Sequence, residues 1–146
     1  MIAEFYKSVT VSFSDLDNFV DWMSSVPPVA VIGTVTALFS AFDGAIQEFD
    51  VYKVETVRDS YMAVSGIPVR CDNQHAVEIC RMAFTLLRVF AGSEAAVMST
   101  GAPTDGRTVV AHPQVRPHSL LGLRCGIHSG PCAAGVIGMR VPRYCL

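Results

Sequence analysis

The sequence predicts an α+β fold: a ferredoxin-like βαββαβ sandwich, helices on one sheet face, with an additional C-terminal strand. Three observations predict it. Val9-Thr-Val-Ser-Phe13 alternates apolar and hydroxyl residues, the period-two signature of a half-buried strand. Two segments, one after Pro27-Pro28 and one from Ala76 to Phe90, carry apolar residues at steps of three and four, as helices do. Between them, Val51–Val57 and Ser60–Ser65 are β-branched runs parted by a tight turn, which predicts a hairpin.

The elements follow in order. After the first strand, Leu16 to Val20 passes into a helical turn that presents backbone N–H groups. Pro27-Pro28 then opens a long helix whose expected inner face is Ile32, Val35, Phe39, Phe42, Ile46 and Phe49. Gly66-Ile-Pro68 ends the hairpin, and the second helix is expected to bury Ala76, Ile79, Cys80, Ala83, Leu86, Leu87 and Phe90. Residues 91–118 hold Gly92, Gly101, Pro103, Gly106, Pro113 and Pro117 without periodicity, and read as a long surface loop inserted in a single domain spanning 1–146. Leu120–Ile127 and Cys132–Ile137 read as two strands joined by a turn at His128-Ser-Gly-Pro131, with Gly126, Gly130, Gly135 and Gly138 marking close backbone approach.

Composition narrows the function classes. The chain has 146 residues, 51% hydrophobic and 16% charged, with a net charge of −2. That suits a packed core and leaves no basic footprint for nucleic acid. An RNA-binding reading also lacks the aromatic residues expected on the central strands. No apolar run approaches the length of a membrane span, and the N-terminus lacks a signal-peptide layout. The five cysteines, at scattered spacings with no CxxC pair, match neither a disulfide framework nor a zinc finger, and point to a reducing, cytosolic setting.

Two carboxylates stand out. Asp15 closes the first strand and Asp59 occupies the hairpin turn, and the βαββαβ order makes their strands neighbours. Paired hard oxygen ligands of this kind suit Mg²⁺ or Mn²⁺. Glu55 is an acid inside a β-branched strand, an unusual expenditure without a use. By itself the string Asp50-Val-Tyr-Lys-Val-Glu55 also reads as a hairpin with a solvated acidic turn, and Cys145 as an ordinary buried cysteine.

Taken together, Ser8 to Phe19, Asp50 to Met62 and Pro142-Arg-Tyr-Cys145-Leu146 resemble the catalytic domain of the class III nucleotide cyclases, specifically a guanylate cyclase. The run from Asp50 to Arg70 is most similar to the receptor type. The resemblance implies that Asp15, Asp59 and the carbonyl of Leu16 hold two Mg²⁺ or Mn²⁺ ions. It implies that the ribose 3′-hydroxyl of GTP attacks its α-phosphorus, releasing pyrophosphate and cyclic GMP for signalling. It further implies substrate contacts at Asn18 and Phe19 in the phosphate loop, and at Glu55, Arg143 and Cys145. Glu55 and Cys145 form the guanine-reading pair; adenylate-forming relatives carry Lys and Asp there. The partner is then a second cyclase domain, in a homodimer or heterodimer whose metal and base residues come from opposite chains. The parent would be a plasma-membrane receptor with this domain on the cytosolic side.

The sequence departs from the family at identifiable places. Asp17 and Asn18 replace an apolar residue and a glycine, and Arg58 stands where the family has glycine. If that position needs φ > 0, Arg58 costs on the order of 1–2 kcal/mol. The family's transition-state Asn and Arg and a later phosphate-gripping Lys would fall beyond Leu146, so the chain is expected to be C-terminally truncated and to turn over GTP poorly by itself. The competing expectation is a catalytically impaired dimerisation partner that regulates an active cyclase.

Overall fold

The computed structural model describes residues 3–99, 121–137 and 143–146. Its elements are β1 (Ala3–Asp17), α1 (Phe19–Ser25), α2 (Pro28–Ala45), β2 (Tyr52–Val57), β3 (Ser60–Ser65), α3 (Gln74–Ser99), β4 (Gly122–Ile137) and β5 (Arg143–Cys145). The five strands form one sheet in the order β2-β3-β1-β4-β5, every pairing antiparallel. This is the βαββαβ plan; the added strand is β5, whereas the one expected at Cys132–Ile137 belongs to β4.

α2 and α3 cover one sheet face. Phe39, Phe42, Ile79, Met82, Leu86 and Phe90 close over Leu16, Tyr61 and Ala63. A second apolar cluster, Tyr6, Val9, Val64, Ile67 and Ala134, lies on the face without helices. Cross-strand partners share a face, so the register fixes which β1 residues look which way. Ser12 pairs with Ala63 and Ser14 with Tyr61, which puts Thr10, Ser12, Ser14 and Leu16 under the helices. Val9, Val11, Phe13 and Asp15 take the open face.

Several expectations are corrected. β1 is much longer than Val9–Phe13. The hairpin expected at His128–Pro131 is absent, because β4 runs unbroken and pairs with β1 along its whole length. Pro131 is accommodated at the register shift, where pairing passes from Tyr6–Cys132 to Val9–Gly130 and no amide donor is required. Gly126 has open space around its Cβ position rather than a close approach, and Gly130 meets only His128 of its own strand. Residues 91–99 continue α3 instead of starting a loop: Ala91, Glu94, Ala95, Ala96 and Met98 are good helix formers, and Gly92 is tolerated inside. The remainder of the expected insertion, 100–118, lies outside the described residues.

The inner face of α2 is Val31, Leu38, Phe39 and Phe42, while Ile32 is 68% exposed. Nearly every position of this helix is apolar or small, so periodicity alone could not choose its face. By length and composition Pro28–Glu48 would also pass as a membrane span, contrary to the expectation of none; its buried residues pack beneath α3. On α3, Met82 and His75 are buried while Cys80 is exposed and Leu87 partly so, a shift of the expected stripe by less than one position.

Candidate active site

Strand pairing brings the two aspartates together. Asp15 lies opposite Ser60, and the Leu16 amide donates to the Asp59 carbonyl at 3.3 Å, so both acids sit at one end of the β1–β3 pair. Leu16 buries its side chain in the core and offers only backbone to the site. The turn Arg58-Asp59 joins Val57 to Ser60 with Arg58 at φ 57°, the left-handed region a two-residue hairpin demands of its first turn residue. Asn18 likewise adopts φ 58°, capping α1 without a side-chain hydrogen bond. The left-handed turn ahead of α1 is therefore made by an asparagine, which tolerates it better than most residues. Phe19 packs its ring on Trp22 and against the core, leaving its backbone at the start of α1.

A cation missed in the sequence completes this cluster. Arg124 of β4 pairs with Asp15 across the sheet and directs two donors, Nε at 2.9 Å and Nη2 at 2.7 Å, onto the single oxygen Oδ2. Its Nη1 reaches Asp17 Oδ1 at 3.4 Å. The hydrogen bonds and charge of Asp15, with the charges of Asp17 and Asp59, raise the guanidinium pKa further. Asp17, the extra acid of the loop, thus faces a cation. Arg124 was legible as the one charged residue in the run Leu121–Ile127, but only the β1–β4 register says what it opposes.

Glu55 pairs with Met62, which alternates with the helix-facing Tyr61 and Ala63, so it lies on the open face with Asp15 and Arg124. Strand spacing and register put its Cα roughly 12 Å from that of Asp15. It is half-buried and makes no side-chain hydrogen bond or ion pair among the described residues. Cys145 lies on the opposite edge strand, facing Gly135. Nevertheless Val54 and Leu146, the neighbours of Glu55 and Cys145, pack against the same open-face cluster. Arg143 opens β5 opposite Ile137. A cleft of about 550 Å³ between Phe5–Ser8 and Arg70–Asn73 is lined by none of these residues.

Two further groups escaped the sequence reading. Asp43 of α2 accepts from Lys53 at 2.6 and 2.8 Å and from the Tyr61 hydroxyl at 2.7 Å. The buried His75 joins Thr10 through Nδ1 at 2.6 Å and Ser8 through Nε2 at 3.2 Å, tying α3 to β1.

The donor set suits a hard divalent cation. Among the described residues no three His, Cys, Asp or Glu side chains gather, so a cation at Asp15 and Asp59 would complete its shell from the Leu16 carbonyl, water and phosphate oxygens.

Comparison with known proteins shows the family. The adenylate and guanylate cyclase catalytic domain profile matches residues 1–146. The chain belongs to that family. It is 42% identical over 144 residues to human atrial natriuretic peptide receptor 2 and 38% identical over 143 residues to human guanylyl cyclase C. The alignments cover 99% and 98% of this chain, and it spans 12% of each receptor. Among solved structures, the guanylate cyclase domain of RhGC from Catenaria anguillulae in complex with GTP superposes with a TM-score of 0.75 at 28% identity, covering 97% of this chain and 66% of that one.

Proposed function

We propose that this cyclase domain is a guanylate cyclase that closes GTP to 3′,5′-cyclic GMP and pyrophosphate. The observation that carries the reading is Glu55: a half-buried carboxylate, unpartnered among the described residues, on the same open sheet face as Asp15 and Arg124. A carboxylate there accepts from guanine N1–H and the exocyclic amine together, a pair adenine cannot offer. Cys145 and Arg143 would serve the same base-reading end.

Asp15 and Asp59, with the Leu16 carbonyl, would hold Mg²⁺ or Mn²⁺. Bound there, such ions supply charge neutralisation for the triphosphate and acidify the ribose 3′-hydroxyl. The chain's own residues do the rest. Arg124 holds Oδ2 of Asp15, and with a cation on that carboxylate its guanidinium would be available to phosphate oxygens. The left-handed Asn18 aims the amides at the start of α1 towards phosphate. Phe13, 49% exposed on the open face, and Val57, 51% exposed at its rim, favour cover by a second cyclase domain. Such a dimer brings the base readers of one chain to the metal residues of the other, on the cytosolic side of a receptor-type parent.

The test is cyclic GMP formation by the assembled dimer with Mn²⁺ or Mg²⁺. Asp15→Asn or Asp59→Asn should cut it on the order of 10²-fold or more while leaving the melting temperature near the parent's. Undiminished turnover in both variants would remove the two carboxylates from the mechanism. A second reading, an impaired regulatory partner, is favoured by one observation: Arg58, at φ 57°, puts a cationic residue next to Asp59 in the turn.

A further inference from the structure

Lys53 and Glu55 are two residues apart on one strand. In regular alternation they would share a face, their Cα atoms roughly 6.5–7 Å apart, within reach of an ion pair. The structure separates them. Pairing passes from Lys53–Ala63 to Glu55–Met62 across a bulge at Val54, which sends Lys53 into the helix layer and Glu55 to the open face. In the helix layer Lys53 lies 4.9 Å above the Tyr61 ring, its ammonium on both oxygens of Asp43, while the Tyr61 hydroxyl donates to the same carboxylate. Tyr61 is 1% exposed and wedged between Phe39 and Phe42, so the acceptor is fixed in place. Glu55 has no cation bonded to it among the described residues.

We propose that Asp43 and Tyr61 form a clasp that keeps Lys53 away from Glu55, so that the Glu55 carboxylate stays open for guanine. Asp43 and Tyr61 are then positioning residues: they act on base choice through Lys53 and the strand bulge, and touch no nucleotide. The inference rests on the guanine-reading role of Glu55. Its physical content is that Lys53 is a hazard as well as a prop. Released from Asp43, it can turn to Glu55, two residues along the same strand, and pairing would occupy the acceptor that distinguishes guanine from adenine.

The test uses the full chain and equilibrium binding of GTP and of ATP with Mn²⁺, beside NMR of the Lys53 side-chain methylenes, which the Tyr61 ring shifts upfield. The parent should prefer GTP and show the shifted methylenes. Asp43→Asn should lose the ring shift and reduce the GTP-over-ATP preference about tenfold or more. The double variant Asp43→Asn with Lys53→Met should regain preference because the competing cation is gone, and Lys53→Met alone should keep it. A cluster that merely stabilised the fold would leave the double variant no better than Asp43→Asn, which overturns the proposal. Tyr61→Phe is the milder break, expected to lower the preference about two- to threefold; unchanged preference in both Asp43→Asn and Tyr61→Phe also overturns it. If the parent shows no GTP preference, the guanine reading fails by itself. The NMR arm then decides the clasp: a new Lys53–Glu55 contact in Asp43→Asn supports it, and a retained ring shift overturns it.

Discussion

The two faces of β1 carry opposite assignments. Under the helices stand Thr10, Ser12 and Ser14, three small hydroxyl residues that are almost wholly buried. On the open face stand Val9, Val11 and Phe13, followed by Asp15. A strand feeding a helix-covered core ordinarily does the reverse. Small side chains let α3 sit close to the sheet, with Thr10 bonded to His75 and Ser14 to Cys125. The apolar row faces where no helix lies and leads to the acid. The difference teaches that the larger apolar core lies on the helix side while the open face ends in exposed Phe13 and the Asp15–Arg124 ion pair.

Breaking the helix side should cost the most stability. Phe42 is 0% exposed and contacts Phe39 and Tyr61, so Phe42→Ala should lower unfolding free energy by about 3–5 kcal/mol in urea titrations. A loss under about 1 kcal/mol would mean that α2 is not part of the cooperative core. Next comes the turn on the site side. Arg58→Gly should add about 1–2 kcal/mol by relieving φ 57°, and should raise cyclic GMP formation by freeing Asp59 of a neighbouring cation. No change in either stability or rate would show that Arg58 costs nothing where it stands. The smallest effect belongs to Ser12, whose buried Oγ has no hydrogen-bond partner among the described residues. Ser12→Ala should be neutral or stabilising by up to ~1 kcal/mol, and a destabilisation of that size would reveal a bond made by that hydroxyl.

Acid should act through Asp43. Burial pushes its carboxyl up, but hydrogen bonds from Lys53 and Tyr61 and the Lys53 charge outweigh that and hold it below the ordinary 3.8. Its folded form is therefore the better acid, so its contribution is complete above the unfolded value and fades as pH falls below 3.8 towards the lower folded value. Asp43→Asn should flatten the stability profile in that window.

Much of this was legible in the sequence. Asp15, Asp59 and Glu55 could be placed because strand order and turn position follow from local patterns, and the positive φ at Arg58 follows from a two-residue hairpin. Arg124 and the Asp43–Lys53–Tyr61 group could not, since each depends on register between elements far apart in sequence. The orientation of β1 was equally hidden: period two says that faces alternate, not which one meets the helices. Pro131 misled because Ser-Gly-Pro resembles a turn, whereas here the proline sits at a register shift in an unbroken strand.

The central claim is that Glu55, on the open face and aided by Cys145, decides the base. The direct measurement is cyclic GMP against cyclic AMP formed by the assembled dimer, parent and Glu55→Lys with Cys145→Asp, at equal GTP and ATP. The account predicts that the parent makes cyclic GMP and that the double variant turns towards cyclic AMP. A double variant that still prefers GTP as strongly as the parent would contradict it.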